Sequence, residues 1–97
     1  MKTITPATRW PGLPLRRDDV WVRRTDDEAV LLGPDGKSIH VLNDTAVALW
    51  ELCDGTTTTG EMVEAILDFF AVSEQRASAD VDRTIGTFDQ LGIVEWR

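Results

Sequence analysis

The side chains that most often perform chemistry are scarce in this chain, and their surroundings do not suit a reaction. His40 is the only histidine, and it lies in a polar–apolar alternation, where a histidine is far more often a surface residue than a catalytic base. Cys53 is the only cysteine, and Leu49 precedes it by one helical turn. Packing is the expected role of this cysteine, because the neighbouring Glu51 and Asp54 do not favour a reactive thiolate.

Metal ligands and phosphate-binding motifs are also missing from the sequence. It contains no histidine pair, Cys-x-x-Cys, glycine-rich phosphate loop or serine elbow. Asp80 and Asp82 flank Val81 and cannot share a helix face, so we expect the carboxylates to lie on the solvated surface. The sequence therefore predicts a protein that is not an enzyme and that uses no metal or cofactor.

Length and composition indicate one ordinary globular domain. The chain has 97 residues, of which 42% are hydrophobic and 28% are charged, as is typical of a folded protein. No apolar run approaches the roughly 20 residues of a membrane helix, and residues 1–15 lack the apolar core of a secretion signal. A lone cysteine excludes an internal disulfide, so we expect no membrane association and a reducing, cytoplasmic location.

The net charge of −7 is unevenly distributed along the chain. Residues 1–24 contain six basic and two acidic side chains, whereas residues 25–97 contain four basic and fifteen acidic ones. An acidic body repels the phosphate backbone that supplies most nucleic-acid affinity, so no nucleic-acid partner is expected. The arginines near the start are either a docking patch for an acidic partner or a solvated tail that aids solubility.

Residues 1–17 are predicted to form an extended arm in front of a domain at residues 18–97. Three of the four prolines fall in the first fifteen positions, and together with Gly12 they are expected to block both helix formation and ladder pairing. A disordered terminal arm is the open alternative. Three apolar residues are candidates to hold the arm on the body: Trp10, Leu13 and Leu15.

Three short runs are predicted to be strands, because they are rich in β-branched and aromatic residues or alternate polar with apolar ones. They are residues 20–24, 28–32 and 38–42, separated by an acidic turn at 25–27 and by the strong turn sequence Gly-Pro-Asp-Gly at 33–36. Sequential hairpins give an antiparallel meander whose third strand lies at an edge.

Three helices are predicted to follow the third strand. Asn43 or Asp44 is suited to cap the first helix. Thr58 and Glu61 have the spacing of a capping box for the second helix, and Ser73 is suited to cap the third.

The apolar faces and ends of these helices follow from the 3.6-residue period. Glycines at positions 55 and 92 are expected to end the first and third helices, and residues 93–96 are expected to form a short extended tail. The predicted buried faces are Ala46, Leu49, Trp50 and Cys53 in the first helix, Met62, Val63, Ile66, Leu67 and Phe70 in the second, and Ala77, Val81, Ile85, Phe88 and Leu91 in the third.

The predicted order β-β-β-α-α-α gives an α+β fold, a three-stranded antiparallel sheet packed on a three-helix bundle. A winged-helix protein has the same order, so the fold alone does not choose a function. The third strand, at residues 37–42, is expected to leave backbone N–H and C=O groups unpaired at its edge. Either Lys37 and His40 protect this edge against self-association, or an extended peptide joins it as an extra strand.

The stretch from Leu42 to Gly55, LNDTAVALWELCDG, resembles the signature of PqqD-like proteins. In that family a strand ends in Leu-Asn, a Thr-Ala pair opens the first helix, and a Leu-Cys-Asp-Gly corner closes it. The threonine-rich turn at 56–59 and the Leu-Gly-Ile element at 91–93 resemble the family's later elements. The resemblance extends from about Val20 to Val94 and leaves the arm at 1–17 without a counterpart.

Similarity to this family implies a RiPP recognition element, which serves the maturation of ribosomally synthesised and modified peptides. Such domains resemble one another in binding the leader region of a precursor peptide as an extra strand against the third β-strand, beside the third helix. They present it to a separate modifying enzyme, such as a radical S-adenosylmethionine enzyme, cyclase, protease or ligase, in natural-product or cofactor biosynthesis. The peptide-binding residues implied by the resemblance are Lys37, Ser38, Ile39, His40 and Val41 on the strand, and Asp80, Arg83, Thr84, Thr87 and Phe88 on the helix.

For two residues of this set, Arg83 and Phe88, a more specific role is expected. Arg83 is a candidate partner for a carboxylate of the leader. Phe88 is either the floor of an apolar pocket or, as is more usual for a ring on a helix face, part of the core.

Two other functions remain open from the sequence. A winged-helix DNA-binding regulator has the same element order, but its third helix needs cations for phosphate contacts. Residues 73–91 contain two arginines and four acidic residues, which disfavours DNA binding. A scaffold subunit that binds only the modifying enzyme is the third interpretation, and it predicts co-purification with that enzyme but indifference to the precursor peptide.

Overall fold

The computed structural model describes residues 10–26, 28–34 and 39–97. Within these residues, three helices and a three-stranded antiparallel sheet confirm the predicted α+β class. A second, two-stranded sheet was not predicted. The elements are β1 (Pro14–Arg16), β2 (Trp21–Arg24), β3 (Ala29–Leu32), β4 (Ile39–Leu42), α1 (Asp44–Leu52), α2 (Thr59–Phe69), α3 (Glu74–Gln90) and β5 (Val94–Trp96).

Strands β2, β3 and β4 form the predicted meander, with β3 in the centre. The register places Leu31 of β3 between Val22 of β2 and His40 of β4. Because residues directly opposite one another share a face of the sheet, these three side chains lie on the inner face, where Leu31 is fully buried. Asp27 and the second half of the predicted turn at 33–36, Asp35 and Gly36, lie outside the described residues.

The helix starts agree with the predicted caps. The side chain of Asn43 accepts a hydrogen bond from the Ala46 amide at 2.8 Å. The Glu61 amide donates to Thr58 Oγ1 at 3.0 Å while the Thr58 amide donates to Glu61 Oε1 at 2.9 Å, which completes the capping box. Ser73 caps the third helix in the same way as Asn43 caps the first. These local bonds satisfy amides that a first helical turn leaves without partners.

Gly92 ends α3 as predicted. Its φ of +70° lies in the left-handed region, which only glycine adopts at little cost. The chain reverses there, and the expected extended tail becomes β5, which runs from Val94 to Trp96.

The segment predicted to be an unpaired arm contains strand β1, so the expectation that its prolines prevent ladder pairing is wrong for these residues. On one side β1 pairs with β5 in antiparallel register. On the other side the Gly55 amide donates to the Pro14 carbonyl, and the Arg16 amide donates to the Cys53 carbonyl, both at 2.9 Å. Proline is tolerated because Pro14 begins the strand and contributes only its carbonyl.

Trp10 fastens the same segment to the body, as predicted for its apolar residues. Its ring stacks on that of Trp96 with the centroids 5.4 Å apart and the planes 10° from parallel. The indole lies over Gly86 of α3, where an added methyl group would meet Trp10 at 3.6 Å, an ordinary van der Waals contact. Residues 10–17 are therefore packed against the domain through both backbone and side chains.

The hydrophobic core lies between the inner face of the three-stranded sheet and the three helices. Trp50 of α1 meets Phe88 of α3 edge to face, with the ring centroids 5.3 Å apart. Cys53 is fully buried in the same core, as expected for a packing residue. In the part of the chain that the structure describes, no helix combines the length and apolarity needed to cross a membrane.

Candidate peptide-binding site

The third strand of the meander, β4, has an open edge. It pairs with β3 on one side, and among the described residues no other backbone group bonds to Ile39–Leu42 on the other side. Because the N–H and C=O groups of successive strand residues point to alternate edges, two of these four residues direct both groups outward. Such an edge can accept an extended peptide as a further strand.

The predicted strand residues divide between the two faces of the sheet. Ile39 and Val41 are exposed on the outer face, whereas His40 is half-buried on the inner face. The remaining two predicted positions, Lys37 and Ser38, lie outside the described residues.

Asp80 on α3 is 7% exposed, so the expectation of a solvated carboxylate is wrong for this residue. Arg83 Nη2 donates to its Oδ1 at 2.8 Å, and Arg76 Nε lies 3.4 Å from its Oδ2. Both arginine side chains are mostly exposed and lie over the carboxylate. The helix thus neutralises its own buried acid, and Arg83 is a cation that already has a partner but still faces solvent.

The other helix candidates differ in accessibility. Thr87 is exposed, and its hydroxyl donates to the Arg83 carbonyl at 3.0 Å. Thr84 is half-buried. Phe88 is buried against Trp50, so of its two expected roles the structure places the ring in the core.

The polar candidates occupy one flank of α3. Asp80 and Thr87 are seven residues apart and so lie on the same side of the helix, whereas Asp89 lies on the other side. There the indole N–H of Trp96 donates to Asp89 Oδ1 at 2.8 Å, and Trp10 stacks on Trp96. The N-terminal segment therefore covers the flank of α3 that the candidate residues do not occupy.

The two side chains whose types most often perform chemistry, Cys53 and His40, pack against other residues of the domain. Burial raises the pKa of the Cys53 thiol to about 12, so the thiol is protonated at neutral pH and is a poor nucleophile. His40 shares its row of the sheet with the buried Leu31. Within residues 10–26, 28–34 and 39–97, no three His, Cys, Asp or Glu side chains come together as metal ligands.

The apolar character of the outer sheet face was not predicted from the sequence. Trp21, Ile39 and Val41 are large hydrophobic side chains that remain exposed there. Their alternation within each strand was visible, but only the register shows that they share one face. This face adjoins the open edge of β4.

The fold is a small α+β domain in which the described residues leave the outer edge of β4 unpaired. A family model described as "Coenzyme PQQ synthesis protein D (PqqD)" matches residues 28–94, more than half of the chain. The chain belongs to the PqqD family, as its Leu42–Gly55 signature predicted. No curated protein matches the sequence.

Three solved structures share the fold. TbiB1 in complex with the TbiA(beta) leader peptide is 22% identical, with a TM-score of 0.69, and the match covers 84% of this chain and 94% of that chain. Lasso peptide synthetase B1 complexed with the leader peptide is 19% identical, with a TM-score of 0.73 and coverage of 87% and 99%. The PqqD truncation of Methylobacterium extorquens PqqCD, described as a stand-alone RiPP recognition element, is 24% identical, with a TM-score of 0.68 and coverage of 84% and 87%.

Proposed function

We propose that this protein binds the leader region of a ribosomally synthesised precursor peptide by strand addition to β4 and presents it to a separate modifying enzyme. The observation that carries the proposal is the open edge of Ile39–Leu42, which pairs only with β3 among the described residues. Membership of the PqqD family supports it. So do two similar structures that contain leader peptides.

Strand addition suits a protein that must accept a variable peptide. Backbone hydrogen bonds to β4 supply affinity with little demand on sequence, and side-chain contacts then select a few anchor residues. In this proposal the leader pairs with residues 37–41 and lies beside α3. Thr87 and the solvent-facing part of Arg83 are the helix candidates whose polar groups are exposed and so accessible to it.

The proposed role is non-catalytic. The thiol of Cys53 is buried and protonated, and His40 lies opposite the buried Leu31 on the inner face. A reducing, cytoplasmic setting fits a chain with one unpaired cysteine. The chemistry on the precursor would come from the partner enzyme.

DNA binding is disfavoured by the charges of α3. Both of its arginines contact Asp80, which leaves less positive charge for phosphates than the sequence alone suggests. A salt-sensitive gel shift with duplex DNA would reverse this ranking.

The proposal is tested by calorimetry with synthetic leaders taken from candidate precursor-peptide genes in the neighbourhood of this protein's gene. We expect a dissociation constant near micromolar, about −8 kcal/mol. Two further peptides carry N-methyl groups on alternate amides, one on the odd and one on the even positions. Strand addition requires that one set abolishes binding and that the other is tolerated, because alternate amides point to the β4 edge. Equal effects of the two sets, or no binding to the leader by the folded protein, would refute the proposal.

Amide hydrogen exchange locates the bound strand. The sheet has two outer strands, so β2 is a control for β4 within the same molecule. We expect the leader to slow exchange of the outward amides of Ile39–Leu42 by at least about tenfold and to leave Trp21–Arg24 unchanged. Protection at β2 alone would place the peptide at the wrong edge.

A further inference from the structure

The outer face of the three-stranded sheet is apolar and largely uncovered. Trp21, Ile39 and Val41 are 69%, 61% and 65% exposed, and Val30 and Leu32 of the central strand are half-buried. Contiguous exposed apolar side chains of this size are uncommon on a soluble domain and usually mark a binding surface.

The register arranges these side chains in two rows across the sheet. One row runs from Trp21 through Leu32 to Ile39. The other runs from Arg23 through Val30 to Val41. Both rows therefore end at β4 with a β-branched apolar side chain, whereas at β2 one row ends with an arginine.

A strand that pairs with β4 must extend both rows. Its alternate side chains fall on the outer face, beside Ile39 and Val41, at the spacing of about 4.5–5.5 Å between Cβ atoms that holds for neighbouring strands. Two such positions are separated by one residue whose side chain points to the inner face. An apolar residue at each of the two positions would remove Ile39 and Val41 from water, and a polar one would not.

We infer that β4 selects leader peptides with an apolar–x–apolar pattern, whose two apolar side chains pack on Ile39 and Val41 of the outer face. The inference rests on the proposed function and adds a rule for the substrate. It makes Ile39 and Val41 specificity residues that act through side chains, while the backbone of the same strand supplies the pairing.

The leader suits this surface better than a second copy of the chain. If two copies docked through their outer sheet faces, the Arg23 side chain of each protomer would lie in the interface. Each protomer also carries a net charge of −7, and this like charge opposes self-association. The open ends of both rows also lie at the strand edge that the leader is proposed to occupy.

The first test compares Ile39→Thr and Val41→Thr with Trp21→Thr. Threonine keeps the β-branch and strand preference but removes apolar contact, and Trp21 is a matched control because it is exposed on the same face at the far strand. With a synthetic leader that binds the wild type as probe, calorimetry should show about two- to fivefold weaker binding for each β4 variant. Trp21→Thr should bind like the wild type.

A charge swap then identifies the facing residues of the leader. Ile39→Lys and Val41→Lys are each titrated with a set of leaders that carry a single glutamate at successive positions. We expect each variant to bind one glutamate peptide several-fold more tightly than it binds the unchanged leader. The favoured glutamate should shift by two positions between the variants, and the direction of the shift gives the strand orientation.

The outcomes separate this inference from the proposed function. If the wild type binds no leader, the proposed function fails and the inference fails with it. If the wild type binds but the threonine variants bind equally well, or the favoured glutamates are not two apart, only the inference is overturned. It is also overturned if Ile39→Thr dissociates a wild-type dimer in sedimentation without any change in leader binding.

Discussion

The two ends of this molecule treat an edge strand in opposite ways. At β1 both edges are paired, with β5 on one side and the segment at 53–55 on the other, and the stacked Trp10 and Trp96 cover the nearby flank of α3. At β4 one edge pairs with β3, and the other edge has no partner among the described residues. The neighbouring apolar side chains remain exposed.

The contrast shows that this fold can pair both edges of a strand with other parts of its own chain. Open apolar edges favour unwanted pairing, and among the described residues the chain uses 10–17 to close one small sheet rather than to cover β4. A binding role for β4 accounts for an edge that is otherwise a liability. We call β1, β5 and the segment at 53–55 the closed region, and β4 together with the outer face of the three-stranded sheet the open region.

Deletion of residues 1–17 should have the largest effect, because it removes one side of the closed region. Backbone bonds such as those between Leu13 and Arg97 and between Arg16 and Cys53 contribute about 1 kcal/mol each. We expect a loss of about 4 kcal/mol in the free energy of unfolding, measured by urea denaturation. An unchanged denaturation midpoint would mean that the closed region is dispensable and that the domain begins after residue 17.

Tryptophan substitutions in the two regions should differ next most strongly. Trp96→Ala loses the stack on Trp10 and the hydrogen bond to Asp89, so we expect a loss of about 2–3 kcal/mol. Trp21→Ala, in the open region, should cost less than about 0.5 kcal/mol. Thermal and urea denaturation of the two variants measure the difference, and equal losses would contradict the contrast between regions.

The pH dependence of the free energy of unfolding reports how well the closed region shields the Cys53 thiol from water. Burial raises the pKa of Cys53 from 9.0 to about 12, so above pH 9 the unfolded chain loses this proton while the folded chain keeps it. The free energy of unfolding should therefore fall with rising pH, by about 2 kcal/mol between pH 9 and pH 10.5. In Cys53→Ala this part of the slope should disappear, whereas an identical slope in the variant would show that the thiol is not the cause.

Asp80→Asn tests whether the carboxylate that Arg76 and Arg83 cover contributes to leader binding or only to the stability of α3. Because Arg76 and Arg83 are largely exposed, we expect the loss of the charge to cost only about 1 kcal/mol of stability. Leader affinity should change less than twofold if Asp80 only serves the helix. A stable variant with strongly weakened leader binding would instead place Asp80 in the binding site.

The parts of the fold that depend on local chemistry were predictable. Asn43, Ser73 and the Thr58–Glu61 pair are caps whose partners lie within three residues, and Gly92 ends a helix through its own backbone freedom. The three strands of the meander were predictable because short turns join them and fix their order. The edge position of β4 followed from that order.

The remainder depends on partners far away in sequence. β1 pairs with a strand about eighty residues later, and nothing near Pro14 indicates that its carbonyl finds Gly55. The burial of Asp80 depends on how tightly the helices pack, which its spacing from Arg76 and Arg83 does not reveal. The shared outer face of Trp21 and Ile39 depends on the pairing register across two turns.

The contact between Leu13 and Arg97 has a practical consequence for building larger proteins. Their backbones exchange two hydrogen bonds, of 2.9 and 2.8 Å. The polypeptide chain therefore enters and leaves the folded domain at nearly the same point. A host protein could carry this unit in a surface loop without spreading the two sides of that loop apart. Under the proposed function, the β4 edge of the inserted domain would bind a leader peptide fused to another protein.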